Sequence, residues 1–234
     1  YSILEHYLST SHILMIGMIV TFILTFFLLE HPFSFLPSDQ GRAFAVNGSL
    51  SKGKLRGVGF IFVLCFLISS VLFLPIDVEY VIYAILLFAM MISGYLDDAS
   101  KTPWNEYKKG LIDLVISVVA VLTYMNFNST TICFGADEIV IPKALFLILG
   151  VILIWVSVNV TNCTDGVDGL CASLCSVTLL AFGVLFAPIL QKYAMANFLF
   201  LSVLFAYLYF NSSPSSMLMG DAGSRALGFY IAVI

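Results

Sequence analysis

Apolar residues gather into eight stretches separated by polar segments: residues 13–29, 57–76, 80–96, 111–127, 144–158, 170–188, 194–210, and an eighth that begins at Arg225 and reaches Ile234. Runs of this kind predict membrane helices. Several are shorter than the ~20 residues of a full span, so their ends should extend into flanking residues or sit beside locally thinned bilayer. If all eight cross, the loops at 30–56, 97–110, 159–169 and 211–224 lie on one side of the membrane, and those loops hold every polar motif in the chain. The first run lacks a basic leader region and a small-residue cleavage site, so it is read as a retained helix.

Composition turns this pattern into a class. With 61% hydrophobic and 10% charged residues, the chain has too little polar surface to enclose a soluble interior. The expected fold is all-α, a polytopic transmembrane helical bundle with about eight spans embedded in the lipid bilayer. The net charge of -4 says little, because what matters is where the charges fall. Eight of the ten Lys and Arg (Arg42, Lys52, Lys54, Arg56, Lys101, Lys108, Lys109 and Arg225) lie on the motif side, against Lys143 and Lys192 on the other. The positive-inside rule then makes the motif side cytoplasmic and puts the N-terminus outside. No nucleic-acid footprint is present. The five cysteines, at 65, 133, 163, 171 and 175, form no CxxC pair, which argues for packing residues rather than a zinc site or a disulfide framework.

Candidate chemistry starts at NVTNCTDGVDGL, residues 159 to 170, which follows one apolar run and precedes another. On an uninterrupted helix Asn159, Asn162, Asp165 and Asp168 would spread over half the circumference. Gly166 and Gly169 suggest instead that the backbone breaks there, letting side chains and N–H groups converge on a bound group.

In the first motif loop, Gly48, Gly53 and Lys54 imitate a P-loop, but Leu55 stands where Ser or Thr must ligand Mg²⁺ and no strand precedes it. What survives is a glycine-flexible loop whose Lys52, Lys54 and Arg56 suit phosphate neutralisation, or simply set topology. The second loop opens with adjacent carboxylates, Asp97 and Asp98, at a helix end. Their repulsion can be offset by Lys101, Lys108 and Lys109, and such a group can bind Mg²⁺ or handle a proton. Asp113 is either a buried polar partner or a helix-start residue near the interface. The last loop presents Asn211 and then Asp221 between Gly220 and Gly223, where a metal and its phosphate could approach the backbone closely, with Arg225 one turn on as a possible charge partner. A solvated turn explains any one of these alone. Five aspartates and two lysines on one membrane face are what phosphoryl transfer requires.

Three of these stretches occur together in a known order. The DD of GYLDDASK, NVTNCTDGVDGL and MGDAGSRALG resemble the polyprenyl-phosphate N-acetylhexosamine-1-phosphate transferase superfamily over nearly the whole chain. GRAFAVNG followed by SKGK resembles its bacterial phospho-N-acetylmuramoyl-pentapeptide transferase branch. The resemblance implies a ten-helix enzyme of the bacterial inner (plasma) membrane, commonly a homodimer, with its active site cytoplasmic. Such an enzyme uses Mg²⁺ to move phospho-MurNAc-pentapeptide from UDP-MurNAc-pentapeptide to undecaprenyl phosphate, giving lipid I and UMP for peptidoglycan synthesis. Nucleoside antibiotics are expected inhibitors.

Carried onto this sequence, the resemblance makes Asp97 and Asp98 the catalytic acid pair and Asp221 the Mg²⁺-binding aspartate. It puts Asn159, Asn162, Asp165 and Asp168 in the nucleotide and phosphate site, with Asn211, Lys52 and Lys101 as further substrate-binding residues. Leu55 departs from the family's proline and Leu218 from its aromatic residue. Residues 1–234 are read as a single integral-membrane transferase domain lacking the family's last helices and His-rich loop. The expected chemistry is direct attack of the lipid phosphate on the sugar-side phosphorus. Rival readings are a UDP-GlcNAc-using transferase, a membrane prenyltransferase, for which a second acid motif is missing, and an ion transporter, which would place acids mid-membrane.

Overall fold

A computed structural model describes residues 1–31, 33–39, 52–100, 102, 104–134 and 137–234. Every predicted apolar run is helical. After a single turn, α1 (Ser2–Glu5), come α2 (Thr10–Glu30), α3 (Gly59–Phe73), α4 (Val78–Asp98), α5 (Glu106–Phe127), α6 (Lys143–Thr164), α7 (Leu170–Phe186), α8 (Gln191–Asn211) and α9 (Gly220–Val233). Between α5 and α6 lies an antiparallel hairpin, β1 (Thr131–Phe134) and β2 (Asp137–Val140), with Thr131 opposite Val140. The chain is thus an all-α membrane bundle with one small hairpin added. Five described helices, α2, α4, α5, α6 and α8, are long and apolar enough to cross a membrane.

Local chemistry sets the helix starts. The Asp77 carboxylate accepts the Tyr80 N–H at 2.8 Å to cap α4, and the Asn105 side chain accepts the Tyr107 N–H at 2.9 Å to cap α5. Pro142 precedes α6, and Gly169, at φ 75°, supplies the left-handed turn from which α7 departs.

The bundle is arranged around α8 and α9. Residues 220–230 of α9 are all buried, whereas Ile19, Phe27, Val71, Ile152, Val177 and Val184 on the outer helices are exposed, the inside-out pattern of a chain solvated by lipid. Phe66 stacks on Phe200, and Tyr230 meets both rings edge-on, where α3, α8 and α9 meet. Small residues let α9 approach its neighbours. A Cβ on Gly59 of α3 would sit 2.1 Å from the Gly223 nitrogen, one on Gly94 of α4 2.3 Å from the Asp221 carbonyl, and one on Gly228 2.6 Å from the Ser157 carbonyl of α6. Such backbone contact is how helices associate where no hydrophobic effect drives them together.

The first and last motif loops are zipped together. Leu55 bridges Ser38 on one side and Met217 on the other, and the Leu218 N–H donates to the Leu55 carbonyl at 2.8 Å. Together with the Gly59 N–H donating to the Met219 carbonyl at 3.0 Å, these bonds set the start of α3 beside the start of α9. The two departures from the family pattern, Leu55 and Leu218, are therefore paired backbone to backbone. The ends of α4, α6 and α8 and the starts of α3, α5, α7 and α9 meet at this end of the bundle, as the loop parity requires. The contacts of Asp77 with Lys192 and of Glu79 with Asn128 mark the opposite end.

Candidate active site

Asp98 is the centre of the polar end. Its side chain is 0% exposed, and its two oxygens accept the N–H groups of Asp221 at 3.1 Å and Ala222 at 3.0 Å, so it caps α9 from another helix. The Arg56 Nε donates to the same carboxylate at 2.8 Å. The other two Arg56 nitrogens reach Asp39 at 3.4 Å and Asp221 at 3.3 Å. Burial by itself would lower the Arg56 pKa, but the negative charges of Asp98 and Asp221 outweigh it and raise it, so this guanidinium is a permanent cation.

Asp97 faces the other way. It accepts the Trp104 N–H at 2.6 Å, and its second oxygen lies 2.6 Å from the Lys109 ammonium, which also sits 3.1 Å from Asp221. One nitrogen therefore lies between two carboxylates from α4 and α9, where a small cation with oxygen ligands would also be satisfied. Among the described residues no three His, Cys, Asp or Glu side chains gather to hold a metal ion, while a carboxylate such as that of Asp221 is the kind of oxygen ligand that Mg²⁺ takes.

A second cluster lies beside the first. Asp168 accepts the Ser215 N–H at 2.9 Å and the Ser215 hydroxyl at 2.8 Å, and Lys54 lies 3.7 Å away while donating to the same hydroxyl. Partial burial would raise the Asp168 pKa, but the Ser215 bonds and then Lys54 hold it below the ordinary carboxylate value. The Asn211 oxygen accepts the Gly169 N–H at 3.1 Å while its amide donates to the Met217 carbonyl at 3.0 Å, tying the α6–α7 turn to the last loop.

The stretch of residues 159–169 breaks where Gly166 and Gly169 suggest, but the helix before it outruns its apolar run, which ends at Val158. α6 runs on through Thr164 and ends at Asp165, because no residue before Gly166 needs a non-helical backbone. Asn159 and Asn162 are therefore helical. The Asn162 amide donates to Ser224 of α9 at 2.9 Å, whereas the Asn159 amide donates back to the Trp155 carbonyl at 2.7 Å, so Asn159, Asn162 and Asp168 each bond a different group.

Charge partners differ too. Arg225 pairs with Asp113, not with Asp221, since Asp113 is buried on α5 and Asp221 is already held by Arg56 and Lys109. Asp113 is thus the buried partner of its two readings. Lys52 is exposed, and Lys101 lies outside the described residues. Lys108 stacks over Trp104 at 3.2 Å from the ring centre. Among the described residues, the cations that reach the acids of these two clusters are Lys54, Arg56 and Lys109. Their basic loops signalled them, but spacing alone did not select them.

A membrane bundle whose one polar end interleaves aspartates with cations suits the transfer of phosphorylated groups at a membrane surface. Residues 80–234 match glycosyl transferase family 4, and the chain belongs to that family. It is 35% identical over 241 residues to the phospho-N-acetylmuramoyl-pentapeptide-transferase of Treponema pallidum (strain Nichols), covering 94% of this chain and 66% of that protein. Proteins of the same name from Dictyoglomus turgidum and Halalkalibacterium halodurans are 27% and 29% identical over 228 and 243 residues. Those matches cover 94% and 95% of this chain and 73% and 74% of the relatives. The chain thus spans about two-thirds of the Treponema protein's length. The resemblance drawn from the motifs is borne out at the level of the family.

Proposed function

We propose that this chain carries the catalytic centre of a phospho-N-acetylmuramoyl-pentapeptide transferase. It would move phospho-MurNAc-pentapeptide from UDP-MurNAc-pentapeptide to undecaprenyl phosphate, giving lipid I and UMP. The observation that carries the reading is the Lys109 ammonium held between Asp97 and Asp221 at the membrane end of the bundle. The names of the relatives supply the substrate class.

The reaction brings two anions together, which is harder than activating a lipid phosphate already ionised at neutral pH. Lys109 and Arg56 offset part of the negative charge that Asp39, Asp97, Asp98 and Asp221 gather there, and Lys54 does the same beside Asp168, so that phosphates can approach. Asp97 is the acid best placed to orient or accept a proton, while Asp98 holds α9 in place. Asp221 would hold Mg²⁺, which supplies charge neutralisation on the diphosphate when bound. Lys52, Lys101, Asn162 and Asn211 complete the substrate-binding set. We place the site on the cytoplasmic face of the inner membrane, with the N-terminus outside, in a homodimer open to nucleoside antibiotics.

The test is UMP release from UDP-MurNAc-pentapeptide and undecaprenyl phosphate by the purified chain in detergent, with and without Mg²⁺. Asp221→Asn should lower Mg²⁺ affinity and recover part of its activity at high Mg²⁺, while Asp97→Asn should not. Turnover of UDP-GlcNAc in place of the MurNAc donor would move the chain to the sister activity. Release from neither donor would sink the reading.

A further inference from the structure

Lys109 and Asp113 stand four residues apart on α5, and Asp221 and Arg225 stand four residues apart on α9. Four residues is about one turn, so each pair lies on one helix face. Lys109 meets Asp221 at 3.1 Å, and one turn deeper Arg225 meets Asp113. The four charges form two rungs of opposite polarity, in which every charge has an opposite charge along its own helix and another across the gap. The outer rung belongs to the site. The inner rung is buried, with both side chains 3% exposed.

A buried ion pair adds little net stability, because desolvation costs about as much as the attraction returns, and its best-attested use is to fix register. Register is what α5 and α9 need. α9 touches α3, α4 and α6 backbone to backbone through glycines, whereas long charged side chains join it to α5. A slip of one residue would move a rung by about 1.5 Å along the axis and about 100° around it.

We propose that Asp113 and Arg225 are positioning residues that lock α5 against α9 so that Lys109 reaches Asp97 and Asp221 together. The inner rung touches no substrate. The inference rests on the proposed reaction only for the catalytic meaning of the outer rung. The geometry it predicts can be read without turnover.

The experiment is competitive labelling of lysines with an amine-reactive acylating reagent, followed by mass spectrometry, on the whole chain in detergent. Asp113→Leu with Arg225→Leu removes both buried charges and leaves neither unpaired. Lys109 should then label several-fold faster while Lys54 and Lys108 keep their rates, and Arg225→Lys, which retains the pair, should stay near the parent. If the Leu pair does not fold, Asp113→Asn with Arg225→Gln keeps volume and a hydrogen bond and should shift Lys109 the same way. In the transfer assay kcat should fall, by up to about a hundredfold for a ~1 Å displacement, with the nucleotide-sugar KM nearly constant. An unchanged Lys109 rate in a folded double variant overturns the proposal. So does an equal rise at all three lysines, which is general loosening. Loss of turnover from the parent itself, with the Lys109 shift still present, would sink the reaction and leave the positioning intact.

Discussion

Asp98, the last residue of α4, caps the start of α9: its two carboxylate oxygens accept the N–H groups of Asp221 and Ala222 while Arg56 neutralises its charge. An acid on one helix thereby holds the first turn of another.

Asp98→Asn should break that arrangement. Whichever way the amide turns, its NH₂ faces either the Asp221 N–H together with the Arg56 Nε or the Ala222 N–H. The loss of a bond to a charged group costs about 1.5–3 kcal/mol, and equilibrium unfolding in detergent should show a decrease of that size. A variant as stable as the parent would mean that Asp98 does not hold α9.

Gly94→Ala tests the close approach of α4 to α9. The added Cβ would meet the Asp221 carbonyl at 2.3 Å, so α9 must shift. Overpacking of this kind costs about 1–3 kcal/mol. The melting temperature should fall together with turnover, whereas Ala at Gly53, where nothing lies within 4 Å but φ is 88°, should strain only its loop and leave turnover largely intact.

The two loop lysines should separate. Lys54 lies against Ser215 and Asp168, and Lys52 is exposed. Lys54→Ala should raise the nucleotide-sugar KM about tenfold or more, as expected for a charged bond of about 1.5–3 kcal/mol, and Lys52→Ala should raise it less. Steady-state kinetics decides, and the reverse order would return the phosphate-binding role to Lys52.

Acid should open the Asp168 clasp only late. Its pKa is held below the unfolded value of about 3.9, so the stability it contributes is fully present above that value and lost as pH falls through the lower folded one. Amide exchange at Ser215, corrected for intrinsic rate, should stay constant from neutral pH to about pH 4 and accelerate below it. Asp168→Asn should remove that step.

Much of this end of the molecule was legible because helix parity is a property of the sequence alone: eight apolar runs put Asp97, Asp98, Asp165, Asp168 and Asp221 at one end before any contact is known. Pairing was not legible. Arg56 and Asp221 are 165 residues apart, and nothing in the spacing of Lys101, Lys108 and Lys109 says which of them turns inward. Arg225 looked like Asp221's partner because both lie on one face of one helix, yet a buried acid on α5 has the stronger claim on it. The β1–β2 hairpin was not foreseen, since the apolar-run pattern registers helices and not a short pair of strands.

The cap between Asp98 and α9 also bears on how the protein is made. Ribosomes deliver α4 long before α9, and the N–H groups that Asp98 accepts belong to residues 123 and 124 positions downstream. Until those residues arrive, a carboxylate destined for a dry interior must stay hydrated at the membrane edge, with Arg56 as its available counter-charge. Closing the bundle and assembling the acidic cluster are therefore a single event in biogenesis, and a nascent chain halted before α9 would hold Asp97 and Asp98 without Asp221.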